Sequence, residues 1–287
     1  MTDTHATAPT LFVEANLTRF AYRRFGAQTG VPLLLMQHYR GGMDHWDPAV
    51  TDGFATDRPV IVFDNTGVSG SSGKTPSTVE AMADHASDFV TALGISQLDL
   101  LGFSIGGYVA QAFTARHPSL VRRLILVGTG PRGGQPPTDP NYRRYATATD
   151  PVTGEGTLEA FLYLFFSQSP KGQAAGTAFW ERRHRRQDGR DRPSSPQTME
   201  AQSAAIADWR EVRGERFAGL RDITPPTLVV NGSNDVMIPT VNSYLLAQHL
   251  PDAQLIIYPD SGHASLFQYP ELFVAHARMF LDGAQGA

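Results

Sequence analysis

The chain contains no cysteine, which excludes disulfide bridges, thiolate nucleophiles and cysteine metal sites. It also has no apolar run close to the ~20 residues that a membrane span needs. Its first residues, Met1 to His5, show neither the basic nor the apolar segment of a secretory signal. These absences predict a cytoplasmic protein that does not enter a membrane.

Strong charge of either sign is also missing, since the net charge is only −4 over 287 residues. Such a chain has little long-range field with which to gather nucleic acid or an anionic membrane. A hydrophobic content of 41% is enough for a substantial core. The expected partner is therefore a small-molecule substrate, while a homo-oligomer stays open.

Short apolar runs that are typical of buried strands alternate with stretches of helical period. This alternation predicts an α/β fold with a mostly parallel central sheet, flanked by helices and built with right-handed crossovers. The predicted strands are residues 17–25, 32–38, 59–64, 98–103, 124–127, 226–231 and 254–258.

The alternation stops between about residues 131 and 220, where helical periods at 158–166 and 198–211 replace the β-type runs. We interpret residues 131–220 as an inserted helical cap on a core formed by 1–130 and 221–287. The cap contains six arginines within residues 181–192. They are expected on a solvated helix face that pairs with Glu181, Asp188 and Asp191, the alternative being a site for an anionic substrate or partner.

A β-type run meets a helix-period run at Ser104, within Gly102-Phe103-Ser104-Ile105-Gly106. This G-x-S-x-G arrangement predicts a nucleophile elbow, a tight strand-to-helix turn that exposes the serine hydroxyl. Residues without a β-carbon at the two glycine positions let the strand and the helix approach closely. Ser104 is thus the candidate nucleophile.

A serine hydroxyl needs a base, and that base needs an acceptor that fixes its tautomer. His263 lies in a loop after the last predicted strand, and Asp235 follows the strand at 226–231. Loops at the carboxyl ends of parallel strands face one crevice. We therefore predict a catalytic triad of Ser104, His263 and Asp235.

A tetrahedral intermediate also needs two donors for its oxyanion, and the amide after the nucleophile, that of Ile105, supplies one. The second is expected from the loop after the strand at 32–38, where we assign the backbone of Arg40, with Tyr39 as the alternate. His38 is interpreted as holding this loop rather than acting as a second base.

Two glycine-rich stretches resemble nucleotide-binding loops but lack their context. Residues 128–133 fit G-x-G-x-x-G, yet the prolines that follow prevent a helix from starting at the phosphate. Residues 67–75 have one residue too many for a P-loop, and Pro76 occupies the place of the helix. The sequence therefore predicts no cofactor, and it contains no pattern of a metal site.

Five motifs occur in a fixed order along the chain: His38-Tyr39-Arg40-Gly41, Asp64-Asn65-Thr66-Gly67, Gly102-Phe103-Ser104-Ile105-Gly106, Gly232-Ser233-Asn234-Asp235 and Ser261-Gly262-His263. With this Ser, Asp, His order the chain resembles the α/β-hydrolase fold superfamily, in particular small bacterial esterases and haloperoxidase-like or lactonase-like serine hydrolases with a helical cap. It departs from the usual pattern in having Tyr39 for a glycine and Ser69 for a second glycine.

The resemblance implies a hydrolase that cleaves carboxylic esters or lactones through an acyl-enzyme on Ser104. The same triad would serve a C–C bond hydrolase or a cofactor-free perhydrolase, and some members of such families bind ligands without turnover. Aromatic side chains near the motifs and in the cap are the candidate lining of the substrate pocket, although aromatics at helical spacing more often form the core of the cap itself. These are Tyr39, Phe103, Phe161, Phe165, Phe166, Trp180 and Trp209.

Overall fold

The computed structural model describes residues 3–151 and 153–283, and in this part of the chain eight strands form one sheet. The strands are β1 (Leu11–Ala15), β2 (Thr18–Gly26), β3 (Leu33–Met36), β4 (Pro59–Phe63), β5 (Leu98–Phe103), β6 (Val121–Val127), β7 (Thr227–Gly232) and β8 (Ala253–Tyr258). Their spatial order is β1-β2-β4-β3-β5-β6-β7-β8. In this order the six strands from β4 to β8 are parallel, whereas β2 pairs antiparallel with both of its neighbours, β1 and β4.

Ten α-helices accompany the sheet in the described residues. They are α1 (Pro48–Ala55), α2 (Val79–Ala92), α3 (Ile105–Arg116), α4 (Tyr142–Ala146), α5 (Leu158–Phe165), α6 (Pro170–Arg183), α7 (Pro196–Arg210), α8 (Val241–His249), α9 (Ser265–Gln268) and α10 (Pro270–Leu281). No helix in the described residues is long and apolar enough to cross a membrane.

The central strands confirm the α/β prediction, because all side chains of β3, β4, β5 and β7 are buried as their apolar runs indicate. Strand β1 was missed. It is a five-residue edge strand that lies mostly in solvent, so its sequence has no buried-strand signal, and its position comes from pairing with β2.

The helical segment after His263 is divided into α9 and α10 at Tyr269. Pro270 clashes with a helical conformation of the residue before it. Tyr269 accordingly has φ −128° and ψ 57°, and the chain turns there before α10 begins.

Helices α4 to α7 all lie between β6 and β7, with no strand among the described residues of this insertion. In its arginine-rich segment Arg185 and Arg192 are exposed, but Arg182 binds Asp47 at 2.6 Å, and the buried Arg183 binds Glu155 at 3.0 Å. The expected solvated face was wrong for these two residues because their acidic partners come from distant parts of the chain, which sequence neighbours do not reveal.

Candidate active site

Ser104 joins β5 to α3 in a strained backbone conformation, with φ 59° and ψ −122°. A β-carbon at Gly106 would lie 2.1 Å from the carbonyl oxygen of Met36, and one at Gly102 would lie 2.5 Å from that of Gly106. Only glycine fits at either position. The predicted tight turn is therefore present, and its glycines serve the close approach of strand, helix and the neighbouring β3.

His263 and Asp235 form a buried pair above the carboxyl ends of β8 and β7. Nδ1 of His263 lies 2.8 Å from Oδ2 of Asp235, and both side chains are fully buried. The other carboxylate oxygen accepts the amides of Met237 and Ile238 at 2.8 and 2.9 Å. Since the carboxylate orients Nδ1–H, Nε2 of His263 is left with its lone pair.

The His263 ring packs against the chain that carries Ser104. Its centre is 5.1 Å from that of Phe103, the residue before the serine. Nε2 of His263 is buried and has no hydrogen-bond partner. This nitrogen can therefore accept a proton, although no hydrogen bond joins it to Ser104 in this structure. In unliganded sites such a contact often tightens only when substrate binds.

The two proposed oxyanion donors differ in their surroundings. Ile105 is the first residue of α3, so its amide has no partner within the helix. The Arg40 amide instead donates to Oε1 of Gln202 on α7 at 2.7 Å. Arg40 itself has φ 64°, and the Tyr39 hydroxyl lies 3.0 Å from that of Ser203.

Two cavities meet at Ser104 and share Tyr39, Ala146 and Met237 in their walls. The first, about 50 Å³, is lined mainly by rings and small apolar groups, together with Arg40, Glu155 and Ser194. The second, about 340 Å³, includes Tyr108, Tyr142, Arg143, Ile206 and Arg210. Ser104 therefore has space for substituents on two sides of a reacting carbonyl.

Two histidines of the loop after β3 line the first cavity. Burial lowers the pKa of His38 to about 3, and burial with the nearby charge of Arg183 lowers the pKa of His45 well below 6.5. Both imidazoles are therefore neutral at pH 7. The His38 ring also contacts Phe103 and Phe165 edge-on, which holds the loop in place.

Among the expected pocket residues, Tyr39, Phe161 and Phe165 line the first cavity. Phe103 does not, because it is fully buried beneath His263 and Phe267. Phe166 is likewise buried and packs on Phe179. These two residues belong to the packing below the cavity.

The two tryptophans also lie outside the cavities at Ser104. Trp180 packs against Phe161 and Arg183. Trp209 stacks on Tyr108, with ring centres 5.4 Å apart, and its Nε1 donates to the Gly130 carbonyl at 3.3 Å. The pocket expectation is wrong for both, since each covers the neighbour that faces the cavity.

The sequence reasoning did not identify His45, Met237 and Gln202 as site residues. His45 had a signal, because the loop after β3 contains two histidines within eight residues. Gln202 had none, since its contact with Arg40 depends on how α7 lies over the core. In the described residues no group of three or more His, Asp or Glu side chains is placed to hold a metal ion.

The chain is similar to known proteins both in sequence and in structure. Residues 32–270 match the model of the family described as alpha/beta hydrolase fold. An alpha/beta hydrolase fold protein from Chitinophaga pinensis superposes with a TM-score of 0.90 and 42% identity, over 98% of this chain and 99% of that one.

Two relatives with named activities are more distant. A 2-hydroxymuconate semialdehyde hydrolase of Pseudomonas putida is 30% identical over 214 residues, which are 70% of this chain and 68% of that protein. A thermophilic esterase of Thermogutta terrifontis superposes with a TM-score of 0.72 and 26% identity, over 97% of this chain and the whole of the other. The relatives thus include enzymes named for different bonds.

Proposed function

Because this chain belongs to the α/β-hydrolase fold family, we propose that it is a serine hydrolase that cleaves a carboxylic ester or a lactone through an acyl-enzyme on Ser104. The observation that carries the proposal is the buried Asp235–His263 pair, with Nε2 free, beside a strained serine between two cavities. A hydroxyl becomes an effective nucleophile at neutral pH only with such a base.

In the first half of the reaction, Nε2 of His263 removes the proton from Oγ of Ser104 as Oγ attacks the substrate carbonyl carbon. Asp235 holds the imidazole and stabilises the imidazolium. The amides of Ile105 and Arg40 bind the oxyanion. The tetrahedral intermediate then loses its alkoxide, which takes the proton from His263 and leaves as the alcohol.

In the second half, His263 removes a proton from water, whose oxygen attacks the acyl carbon. Collapse of this second intermediate breaks the bond to Oγ of Ser104, which regains the proton from His263. A carboxylic acid is released and the serine is restored. Neither half needs a cofactor.

We assign substrate selection to the helical insertion at 131–220, since Phe161, Leu164 and Phe165 contribute to the first cavity while the triad lies in the core. Similarity to the Thermogutta esterase supports an ester substrate. The second candidate is a C–C bond hydrolase that uses the same triad, and similarity to the 2-hydroxymuconate semialdehyde hydrolase favours it.

A fluorophosphonate probe and a panel of substrates test the proposal. The wild-type protein is expected to be labelled and to hydrolyse p-nitrophenyl esters or lactones, whereas Ser104→Ala loses both properties and stays folded. Ser119→Ala, which changes an exposed serine outside the site, is the matched control and keeps both. Labelling that persists in Ser104→Ala would refute the assignment, and turnover of a vinylogous diketone without ester turnover would favour C–C cleavage.

A further inference from the structure

The proton positions of His38 follow from its hydrogen bond. Nδ1 lies 2.8 Å from the carbonyl oxygen of Tyr39, and a carbonyl only accepts. Nδ1 therefore carries the proton of this neutral ring, and Nε2 has a lone pair. That nitrogen is buried without a partner, although His38 lines the first cavity. His38 is thus a fixed acceptor.

His45 has the opposite arrangement. The amide of Gly42 donates to Nδ1 at 3.2 Å, so Nδ1 has the lone pair and Nε2 carries the proton. The residue is 9% exposed and lines the same cavity. No hydrogen-bond acceptor for Nε2 is found among the described residues, which makes His45 a fixed donor.

The other polar side chains around this cavity already have partners. Arg40 donates to the carbonyls of Ala148 and Gly154, and Glu155 accepts from Arg183. The remaining hydroxyl groups also have hydrogen-bond partners. Those of Tyr39, Tyr145 and Ser194 bond to the hydroxyl of Ser203, the carboxylate of Glu159 and the carbonyl of Arg40. Apart from Ser104, the polar side chains of this cavity that still have an unpaired hydrogen-bonding atom among the described residues are therefore the two imidazoles.

The ring centres of His38 and His45 are 5.4 Å apart. The two rings are therefore neighbours in the wall of the first cavity, and one hydroxyl group that approaches both can donate one hydrogen bond and accept another, each of about 2.8 Å. Phe161 packs beside both rings, with its ring centre 6.0 Å from that of His38 and 6.3 Å from that of His45. In these apolar surroundings an unmatched donor or acceptor is costly, so the pair favours a ligand that satisfies both.

We propose that the first cavity binds a hydroxyl group of the substrate, which donates to Nε2 of His38 and accepts from Nε2–H of His45. The substrate class is thereby narrowed to hydroxy-substituted esters or lactones. This inference rests on the proposed function, and it adds two specificity-determining residues that do not take part in the chemistry. A keto oxygen would satisfy His45 alone, and an unsubstituted chain would satisfy neither ring.

The test compares kcat/KM for p-nitrophenyl esters of 3-hydroxybutyric, 3-oxobutyric and butyric acid. A second arm compares 3-hydroxypropyl butyrate with propyl butyrate, which covers the case in which the alcohol part occupies this cavity. We expect the wild-type protein to prefer the hydroxy ester over the unsubstituted one about ten- to hundredfold in one arm. Where the acyl arm responds, the oxo ester is expected between the two.

Two variants separate recognition from folding. His45→Phe removes the donor and also leaves the Gly42 amide without its acceptor, whereas His45→Asn offers that amide an oxygen on a shorter side chain. Both are expected to lower the ratio of hydroxy to unsubstituted ester about two- to tenfold, because only the hydrogen bond to His38 is left, and this ratio is independent of the amount of active enzyme. His249→Phe, which changes an exposed histidine outside the site, is the control and retains the wild-type ratio.

Equal rates for hydroxy and unsubstituted esters in both arms would overturn this inference while leaving ester hydrolysis intact. A preference of undiminished size in both His45 variants would also overturn it. Failure of the wild-type protein to hydrolyse any of these esters or to react with the fluorophosphonate would instead count against the proposed function.

Discussion

The backbone amide of Arg40 and the side chain of Gln202 are joined by a 2.7 Å hydrogen bond between the loop after β3 and the inserted helix α7. Arg40 has φ 64°, an uncommon conformation for a non-glycine residue. Its amide therefore points toward a carbonyl-type oxygen before any substrate is present. If the same amide stabilises the oxyanion, Gln202 and the substrate compete for one donor.

This competition predicts opposite effects of two changes at Gln202. Gln202→Ala frees the amide and is expected to raise kcat/KM about two- to tenfold, the value of one net hydrogen bond. Gln202→Glu supplies a charged acceptor, which binds the amide more strongly, and is expected to lower kcat/KM. Steady-state kinetics on one p-nitrophenyl ester measures both. Losses of similar size in both variants would mean that Gln202 anchors the loop and that Tyr39 provides the donor.

Asp235→Asn tests the orientation of the base. Oδ1 of Asp235 accepts two backbone amides, and the asparagine oxygen can keep them, so the loop is expected to stay folded. The asparagine amide then faces Nδ1 of His263 and imposes the wrong tautomer, which in a serine protease costs about 10⁴-fold in kcat. A large fall in kcat with an unchanged melting temperature is expected. Near-normal turnover would point to another carboxylate.

The sequence predicted those parts of the molecule whose signal is local. Buried parallel strands read as continuous apolar runs, and the turn at Ser104 requires glycine at Gly102 and Gly106 for steric reasons. His263 and Asp235 were found because loops after parallel strands share one crevice, and the structure pairs them.

Features that depend on how distant segments lie together were not predictable. Trp180 and Trp209 are large aromatic residues of the kind that often line pockets, but the packing of the insertion turns them toward Phe161 and Tyr108. The contact between Arg40 and Gln202 joins residues 162 positions apart. An edge strand such as β1 is specified by its partner more than by its own residues.

A paired test separates the cavity wall from the packing behind it. Trp209→Ala removes a buried side chain that stacks on Tyr108, and we expect it to lower the free energy of unfolding by about 3 to 5 kcal/mol. The relative rates on different esters should then stay the same. Phe161→Leu makes room inside the first cavity, so it is expected to shift kcat/KM toward bulkier acyl groups by about tenfold. Urea unfolding and a chain-length series of esters measure the two effects, and a changed ester preference in Trp209→Ala would contradict the placement of that ring.

The last prediction concerns a buried charge cluster that fastens the insertion to the core. Arg23 is fully buried and binds both Asp44 and Asp191, the latter at 3.3 Å. Asp44 and Asp191 also accept each other's backbone amides at 2.7 Å. Burial, together with the charge of Asp44, raises the pKa of Asp191 to about 7. Burial, together with the charge of Asp191, likewise raises the pKa of Asp64 well above its ordinary value.

Because the pKa of Asp191 is higher in the folded state than its ordinary value of 3.8, the folded protein keeps a proton that the unfolded chain loses between about pH 4 and pH 7. The free energy of unfolding should therefore fall across this range through Asp191, by at most about 1.4 kcal/mol per pH unit, and level off above pH 7. Asp191→Asn stays neutral and is expected to lose this negative contribution, so its unfolding free energy changes with pH by a more positive slope than that of the wild-type protein, whereas Asp188→Asn, at an exposed position in the same segment, should keep the wild-type slope. Urea unfolding of the three proteins at pH 5, 6, 7 and 8 measures the slopes, and an identical slope in Asp191→Asn and the wild-type protein would show that Asp191 does not titrate in this range.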